Sequence, residues 1–308
     1  MTQLFGGIEA GGTKFVCMVG SGPLEVVAEN QFPTTQPDET IQKAVEFFKP
    51  YAKRGELAAI GIASFGPVDL NLASPTYGYI TTTPKPEWSL VNLRGYIQQA
   101  LKLPITFDTD VNAAAFGEHY WVPENRLLDP FLYMTVGTGI GVGILANGHP
   151  LHGLIHPEAG HFPIPHNLQK DPFPGACPYH GDCLEGLASG PSMAQRWGQP
   201  AETLPDHHPA WELEAEYVSL ALVNLIYTCS PQRIVLGGGV AEHPGLHEAV
   251  SRKVQQHLNG YIQSPMVLEK INAYIVPPSL KKRSGVLGAI AMAIDMTPPY
   301  PTMCPSGV

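Results

Sequence analysis

Strand-like and helix-like runs alternate along almost the whole chain, and this predicts an α/β fold built as two successive strand–helix domains. Two further observations bear on the class. Glycine clusters close strand-like runs in GGIEAGGTK (6–14), TVGTGIGVG (135–143) and VLGGG (235–239). One stretch, His156 to Asp182, breaks the alternation with histidine, proline and glycine. A loop of that length in a compact domain needs a functional or structural tether.

Taken in order, LFGGI and KFVCMVG read as two strands joined around glycines, and EVVAENQF as a third. From Thr40 to Arg54, apolar residues at Ile41, Ala44, Val45 and Phe48 fall on one helical face. LAAIGIASFG returns as a strand and PTYGYITTTPKPEWS as a loop, with Ser89 placed to cap a helix carrying Leu93, Ile97 and Leu101. PITFDTD resumes the sheet and delivers Asp108 and Asp110 at its end, and the alanine-rich VNAAAFGEHYW follows as a helix. FLYMTVGTGIGVGILANG reads as a hairpin, with the chain crossing to a second domain near Gly117. Helical texture resumes over Leu184–Trp197. A second helix over Trp211–Cys229 carries a buried stripe of Leu213, Tyr217, Leu220, Val223 and Ile226. RIVLGGGVA is strand then turn, Gly245–Leu258 a helix, INAYIVPP a strand, GVLGAIAMAI a small-residue helix and 297–308 a tail. The domains expected are 1–117 joined by the returning helix 286–296, and 118–285 with the irregular loop 156–185. No internal repeat is visible, although two such domains are compatible with duplication.

Composition narrows the functional classes. A formal charge of -9 gives no general attraction to nucleic acid or acidic membranes. No apolar run reaches the length of a membrane span and the N-terminus lacks the pattern of a signal peptide, so the cytoplasm is the expected location. Five cysteines, at 17, 177, 183, 229 and 304, do not form a disulfide framework, and only Cys177 and Cys183 have a purposeful spacing.

Three features carry chemistry. Gly11 and Gly12 permit close backbone approach, Thr13 offers a hydroxyl and Lys14 a charge, all useful beside phosphate. Each glycine cluster alone reads first as a hairpin or strand turn; the three together, with Gly137, Thr138, Gly139 and Gly237, Gly238, Gly239, shift the reading toward a nucleotide cleft. Asp110, at a strand terminus, suits a base that accepts a hydroxyl proton, and would otherwise cap the following helix. Asp108 should face the other way and be structural. Asn112 and Glu118 either orient the cleft or close the helix, and Asp69 either meets a sugar or metal or fixes its turn. CPYHGDC offers Cys177, His180 and Cys183 for a tetrahedral metal, or for loop packing, with His161 as fourth donor ahead of His156 and His166. Four protein donors would leave no open position, making the metal structural. Glu158 and Glu185 flank these ligands and either accept sugar hydroxyls or are solvated carboxylates.

The ordered set EAGGTK, FDTDVNAAAFGE, TVGTGIGVG, HPEAGH, CPYHGDCLEGLASGP and IVLGGGV resembles the ROK family of sugar kinases and sugar-responsive repressors, and within it the zinc-containing bacterial fructokinases. The resemblance implies a two-domain actin-like ATPase (ribonuclease H-like) fold, a homodimer, and ATP with Mg2+ between the domains. It implies Asp110 as the general base, Gly11, Gly12, Thr13 and Gly137, Thr138, Gly139 as phosphate turns, and Gly237–Gly239 beside the adenosine. Glu158, Glu185, Asn112 and His161 become sugar contacts, and His161, Cys177, His180 and Cys183 the ligands of a structural Zn2+. Glu9 stands where many relatives have aspartate, and CPYHGDC replaces the commoner three-cysteine motif. Thr109 stands where glucose-type relatives carry asparagine, which favours fructose. The expected reaction is phosphorylation of D-fructose to fructose 6-phosphate. Mannose or broad hexose kinase activity is the nearest alternative and a non-enzymatic sugar sensor a further one. A repressor would need a DNA-binding segment upstream, where the first strand already begins near residue 4.

Overall fold

The computed structural model describes residues 3–296, so the tail at 297–308 and Cys304 lie outside the described residues. The first half runs β1 (Leu4–Ala10), β2 (Lys14–Gly22), β3 (Glu25–Pro33), α1 (Pro37–Lys53), β4 (Leu57–Ser64), α2 (Leu93–Leu101), β5 (Ile105–Thr109) and α3 (Asp110–Trp121). Pro37 and the acidic Asp38 and Glu39 start α1 as a helix dipole favours, and Lys53 ends it. The second half runs β6 (Phe131–Val136), β7 (Ile140–Ala146), β8 (His149–Pro150), α4 (Leu184–Ala188), α5 (Gly190–Trp197), α6 (Pro209–Cys229), β9 (Arg233–Gly237), α7 (Leu246–Leu258), α8 (Pro265–Leu268), α9 (Ile271–Tyr274), β10 (Ile275–Val276) and α10 (Ser284–Asp295).

Each half holds a five-stranded sheet, ordered β3-β2-β1-β4-β5 in the first and β8-β7-β6-β9-β10 in the second. In both, the first three strands pair antiparallel and the last two join in parallel. The halves therefore repeat one topology, the duplicated actin-like arrangement that the resemblance implies. Corresponding glycine turns follow from it: residues 11–13 join β1 to β2 as residues 137–139 join β6 to β7.

Two helices lie where the halves meet. The chain leaves β5 into α3, yet α3 packs mainly on β6 and β7; it leaves β10 toward α10, yet α10 packs on β1, β2 and β4. Side-chain size at their crossing is close to zero. A methyl added to Gly288 would stand 1.7 Å from the Ala113 carbonyl oxygen, and one on Gly61 would stand 1.8 Å from that of Ala289. Helix thus lies on helix, and helix on strand, at backbone distance, with Ala63, Ala113 and Ala289 filling the junction. The outer cores are conventional: Phe15, Phe48 and Trp88 pack beneath the first sheet, and Leu132, Leu222 and Val250 beneath the second.

The structure corrects four local expectations. Asn92, not Ser89, caps α2, its side chain accepting from the Gly95 amide at 2.8 Å, while Ser89 Oγ turns to Thr83. INAYIVPP is only terminally a strand: INAY is helical, and β10 lasts two residues because Pro277 and Pro278 follow and cannot donate to a ladder. Leu184–Trp197 is two helices, broken at Ser189, which caps the second. Burial on α6 is wider than one stripe, taking in Glu214 and Ser219 while Leu213 and Leu220 are only half-buried, because α6 packs against both α4 and α7.

Candidate active site and metal centre

Asp110 opens α3 at the floor of a cleft of about 790 Å³. The capping task falls to its neighbour: Thr109 Oγ1 accepts the Asn112 amide at 3.1 Å, while Asp110 Oδ1 accepts only the adjacent Val111 amide, at 2.9 Å. Withdrawal from water pushes the Asp110 carboxyl up to about 6, with the Val111 amide opposing. Glu9, at the end of β1, lines the same cleft. Burial first, and the negative charge of Asp110 second, push it up to about 7, against the pull of Lys14. Its Oε2 is buried without a hydrogen bond.

One glycine cluster lines this cleft and a second leads into it. Lys14 and Gly237–Gly239 line the cleft with Asp110, and the Gly11–Thr13 turn immediately precedes Lys14, pinned by the Thr34 hydroxyl on the Gly11 carbonyl at 2.7 Å. Gly137 donates nothing to that wall but meets Gly239, whose amide would lie 3.6 Å from a methyl on Gly137. Gly137, Thr138 and Gly239 border a second cavity of about 700 Å³ whose far wall is Ala194, Leu204 and Trp211. The two cavities share Glu242, His243 and Pro244. The sequence reading missed these three, together with Lys281 and Lys282 of the first cleft. Only the KKR run at 281–283 carried a signal, a cluster of cations just before the final helix.

Two glutamates stand near Asp110 outside the lining of that cleft, Glu185 against the second glycine turn. Burial pushes Glu158 up to about 7, with the charges of Asp110 and Glu185 adding to it. Both charges are thus close enough to oppose ionisation of Glu158. Glu185, in the first turn of α4, holds the strand after the second glycine turn by accepting the Ile140 amide at 2.9 Å. Asn112 is not presented in the same way: it is 1% exposed, and its amide is spent on Asp108 Oδ1 at 2.7 Å. Asp108 also holds His152 Nε2 at 2.9 Å, so it supports the end of β5 from behind. Glu118 accepts the Ser279 and Leu280 amides and the Ser284 hydroxyl, tying α3 to the entry of α10. Asp69 fixes its own turn by accepting from Asn71, Ser74 and Thr76.

His161, Cys177, His180 and Cys183 form a metal-sized cluster, their ligand atoms all within 4.8 Å of one another. The sulfur-to-nitrogen separations are 3.7, 3.6 and 3.5 Å. Tetrahedral zinc with ordinary bond lengths needs about 3.6 Å between a thiolate sulfur and an imidazole nitrogen, so the donor set fits that ion. The two competing histidines are engaged elsewhere. His166 bonds Asp182 Oδ2 and the Asp171 carbonyl, both at 3.0 Å, and His156 Nε2 accepts the Val68 amide at 3.1 Å. A tight turn, with Cys177 and Gly181 exchanging backbone bonds, aims the ligands inward.

No helix among the described residues is long and apolar enough to cross a membrane. A putative fructokinase of Bacillus subtilis is 44% identical over 290 residues, covering 94% of this chain and 95% of that protein. A fructokinase of Lactococcus lactis is 42% identical over 297 residues, covering 96% and 99%. Among solved structures, a ROK hexokinase from Thermus thermophilus superposes with a TM-score of 0.74 at 25% identity, covering 96% of this chain and 99% of that one. The ROK family model matches residues 5–296, nearly every described position, and the chain belongs to the ROK family.

Proposed function

We propose that the protein is an ATP-dependent fructokinase that transfers the γ-phosphoryl group to D-fructose, giving fructose 6-phosphate. The observation that carries this reading is the place of Asp110, in one cleft with Lys14 and Gly237–Gly239 and near enough to Glu158 for its charge to act on that carboxyl. The fructokinases at 44% and 42% identity support the sugar, as does Thr109 beside the base.

In this reading Glu158 and Glu185 accept sugar hydroxyls and His161 borders the same site. Asp110 takes the proton of the primary hydroxyl as its oxygen attacks the γ-phosphorus, and ADP leaves. A carboxyl that titrates near 6 is ionised at neutral pH yet basic enough to share a proton in the transition state. The amides of residues 11–13 and 137–139, with Lys14, hold the phosphates, and Gly237–Gly239 with the apolar wall at Trp211 receive the adenosine. Magnesium, when bound, offsets charge on the transferring phosphoryl group; the unpartnered Glu9 Oε2 fits the water shell of such a cation. Zinc in the His161–Cys177–His180–Cys183 set is structural, with no position left open by its four protein donors. A cytoplasmic homodimer completes the proposal.

The test is a panel of fructose, mannose and glucose with ATP and magnesium, reading rate and product position. Fructose turned over fastest, at the 6-hydroxyl, is the expected result. A preference for mannose or equal rates on all three would replace the substrate, and no turnover on any would leave a sugar sensor.

A further inference from the structure

His156 takes no part in the proposed metal set and has no assigned task, yet it is 4% exposed and lies two residues from Glu158. Its ring is contacted at both nitrogens. Nε2 accepts the Val68 amide at 3.1 Å, and an accepting imidazole nitrogen carries no proton, so in the neutral ring the proton sits on Nδ1. Burial favours that neutral form. Nδ1 lies 3.3 Å from Glu158 Oε1, a close polar contact not yet aligned as a hydrogen bond, and the Pro157 carbonyl also faces the ring. One ring therefore stands between the backbone of the loop after β4 and a carboxylate of the proposed sugar site.

Both ends of this link are firm. Val68 is 3% exposed and bridges to Ile80, and Pro67 just before it accepts the Thr81 amide, so the amide that His156 reads belongs to an ordered loop. The same segment is fastened a second time to the first half by His152 on Asp108 at 2.9 Å. A methyl placed on Gly66 would meet His156 Cε1 at 3.4 Å and Glu158 Oε1 at 3.6 Å, so loop, imidazole and carboxylate share one small volume. The short turn Ala159–His161 fixes the Glu158 backbone, its carbonyl accepting the His161 amide at 3.0 Å, but takes no hydrogen bond from the carboxylate.

We propose that His156 is a positioning residue for hexose recognition: it orients one oxygen of Glu158 through Nδ1 while clamping the Val68 loop through Nε2, leaving the other Glu158 oxygen for a sugar hydroxyl. The inference rests on the reading of Glu158 as a sugar ligand. It predicts that the two ring nitrogens have separable tasks.

H156Q keeps an acceptor near Nε2 for Val68 but offers no donor near Nδ1, whereas H156N offers an amide donor near Nδ1. Steady-state kinetics on the full-length, metal-loaded protein, with the hexose it turns over fastest, should show KM for the sugar raised about tenfold in H156Q, the order expected for losing one polar contact that aligns when sugar binds. kcat and the KM for ATP should stay within about twofold, H156N should recover most of the sugar KM, and H156Q/E158Q should be no worse than E158Q. A wild-type sugar KM in H156Q, no recovery in H156N at equal melting temperature, or a full extra factor in the double variant would each overturn the proposal. Should H156Q not fold, the nitrogen chemical shifts of His156 in the wild type decide: the Nδ1–H tautomer supports the inference and the Nε2–H tautomer refutes it. Wild-type turnover on the sugar panel tests the function separately, since it does not depend on the variants.

Discussion

Asp110 shows how a single carboxyl can be useful because it is uncomfortable. Its pKa in the fold, about 6, lies above the ordinary 3.8, so the folded state binds its proton more tightly than the unfolded chain does. Stability then falls as pH rises from about 4 to about 6 and stays lowered above that. Asp110→Asn should therefore lower kcat by about 10³-fold and raise stability at pH 7.5 by about 1–2 kcal/mol. Denaturant melts at pH 7.5 and below pH 4 check the sign, for the gain should vanish in acid; a variant no more stable at pH 7.5 would contradict the burial argument. In the wild type, kcat/KM should decline below about pH 6 as Asp110, the proposed base, is protonated. The sequence shows Asp110 because a strand ending in FDTD before an alanine-rich helix sets a carboxylate at a known edge. It hides His156, whose partner amide is 88 residues away in the chain.

At the scale of the element, the loop between β8 and α4 is held twice. The candidate metal ligands would pin one part, and Asp171 pins another: Arg196 Nε reaches its Oδ1 at 3.1 Å, the Tyr217 hydroxyl its Oδ2 at 2.6 Å, and the guanidinium lies over Phe173. Because the second anchor needs no metal, Cys177→Ala should release the ion yet leave the global fold intact. Metal analysis should show under about one-tenth occupancy, and sugar KM should rise about tenfold or more, with kcat on saturating sugar affected less. Unchanged sugar KM in a metal-free variant would remove the brace from the site's design. CPYHGDC was legible because all spacing within it is local. The Asp171 anchor was not, because its arginine and tyrosine come from α5 and α6. Helix crossings are equally silent in sequence: nothing in GVLGAIAMAI says which glycine touches a carbonyl. Gly288→Ala, with its methyl 1.7 Å from the Ala113 oxygen, should destabilise the protein by about 3 kcal/mol or more, read by thermal or denaturant melting.

The whole molecule is two copies of one topology, each sheet lending the other a helix. That repetition left no trace in residue identities because a sheet of this kind needs only recurring apolar patterns and turn glycines, which many sequences satisfy. Its mechanical consequence is specific. The halves connect through α3 and α10, which touch at backbone distance, while the cleft is lined from both: Glu9, Lys14 and Asp110 from the first half face Gly237–Gly239 and Lys282 from the second. Rotation about the helix crossing would narrow that cleft without disturbing either sheet. On the side of the proposed sugar site the halves are already fastened, by His152 to Asp108 and His156 to Val68, so closure should act mainly on the side of the proposed nucleotide site. A hexose with a non-hydrolysable ATP analogue should then shrink the radius of gyration by a few per cent of the roughly 19 Å expected for a monomer of this length, measured by small-angle X-ray scattering on monomeric protein or scaled to the assembly present. The analogue should do most of this and hexose alone little. A closure produced by hexose alone would show that the sugar-side fastenings open and re-form, and that the hinge lies elsewhere than the α3–α10 crossing.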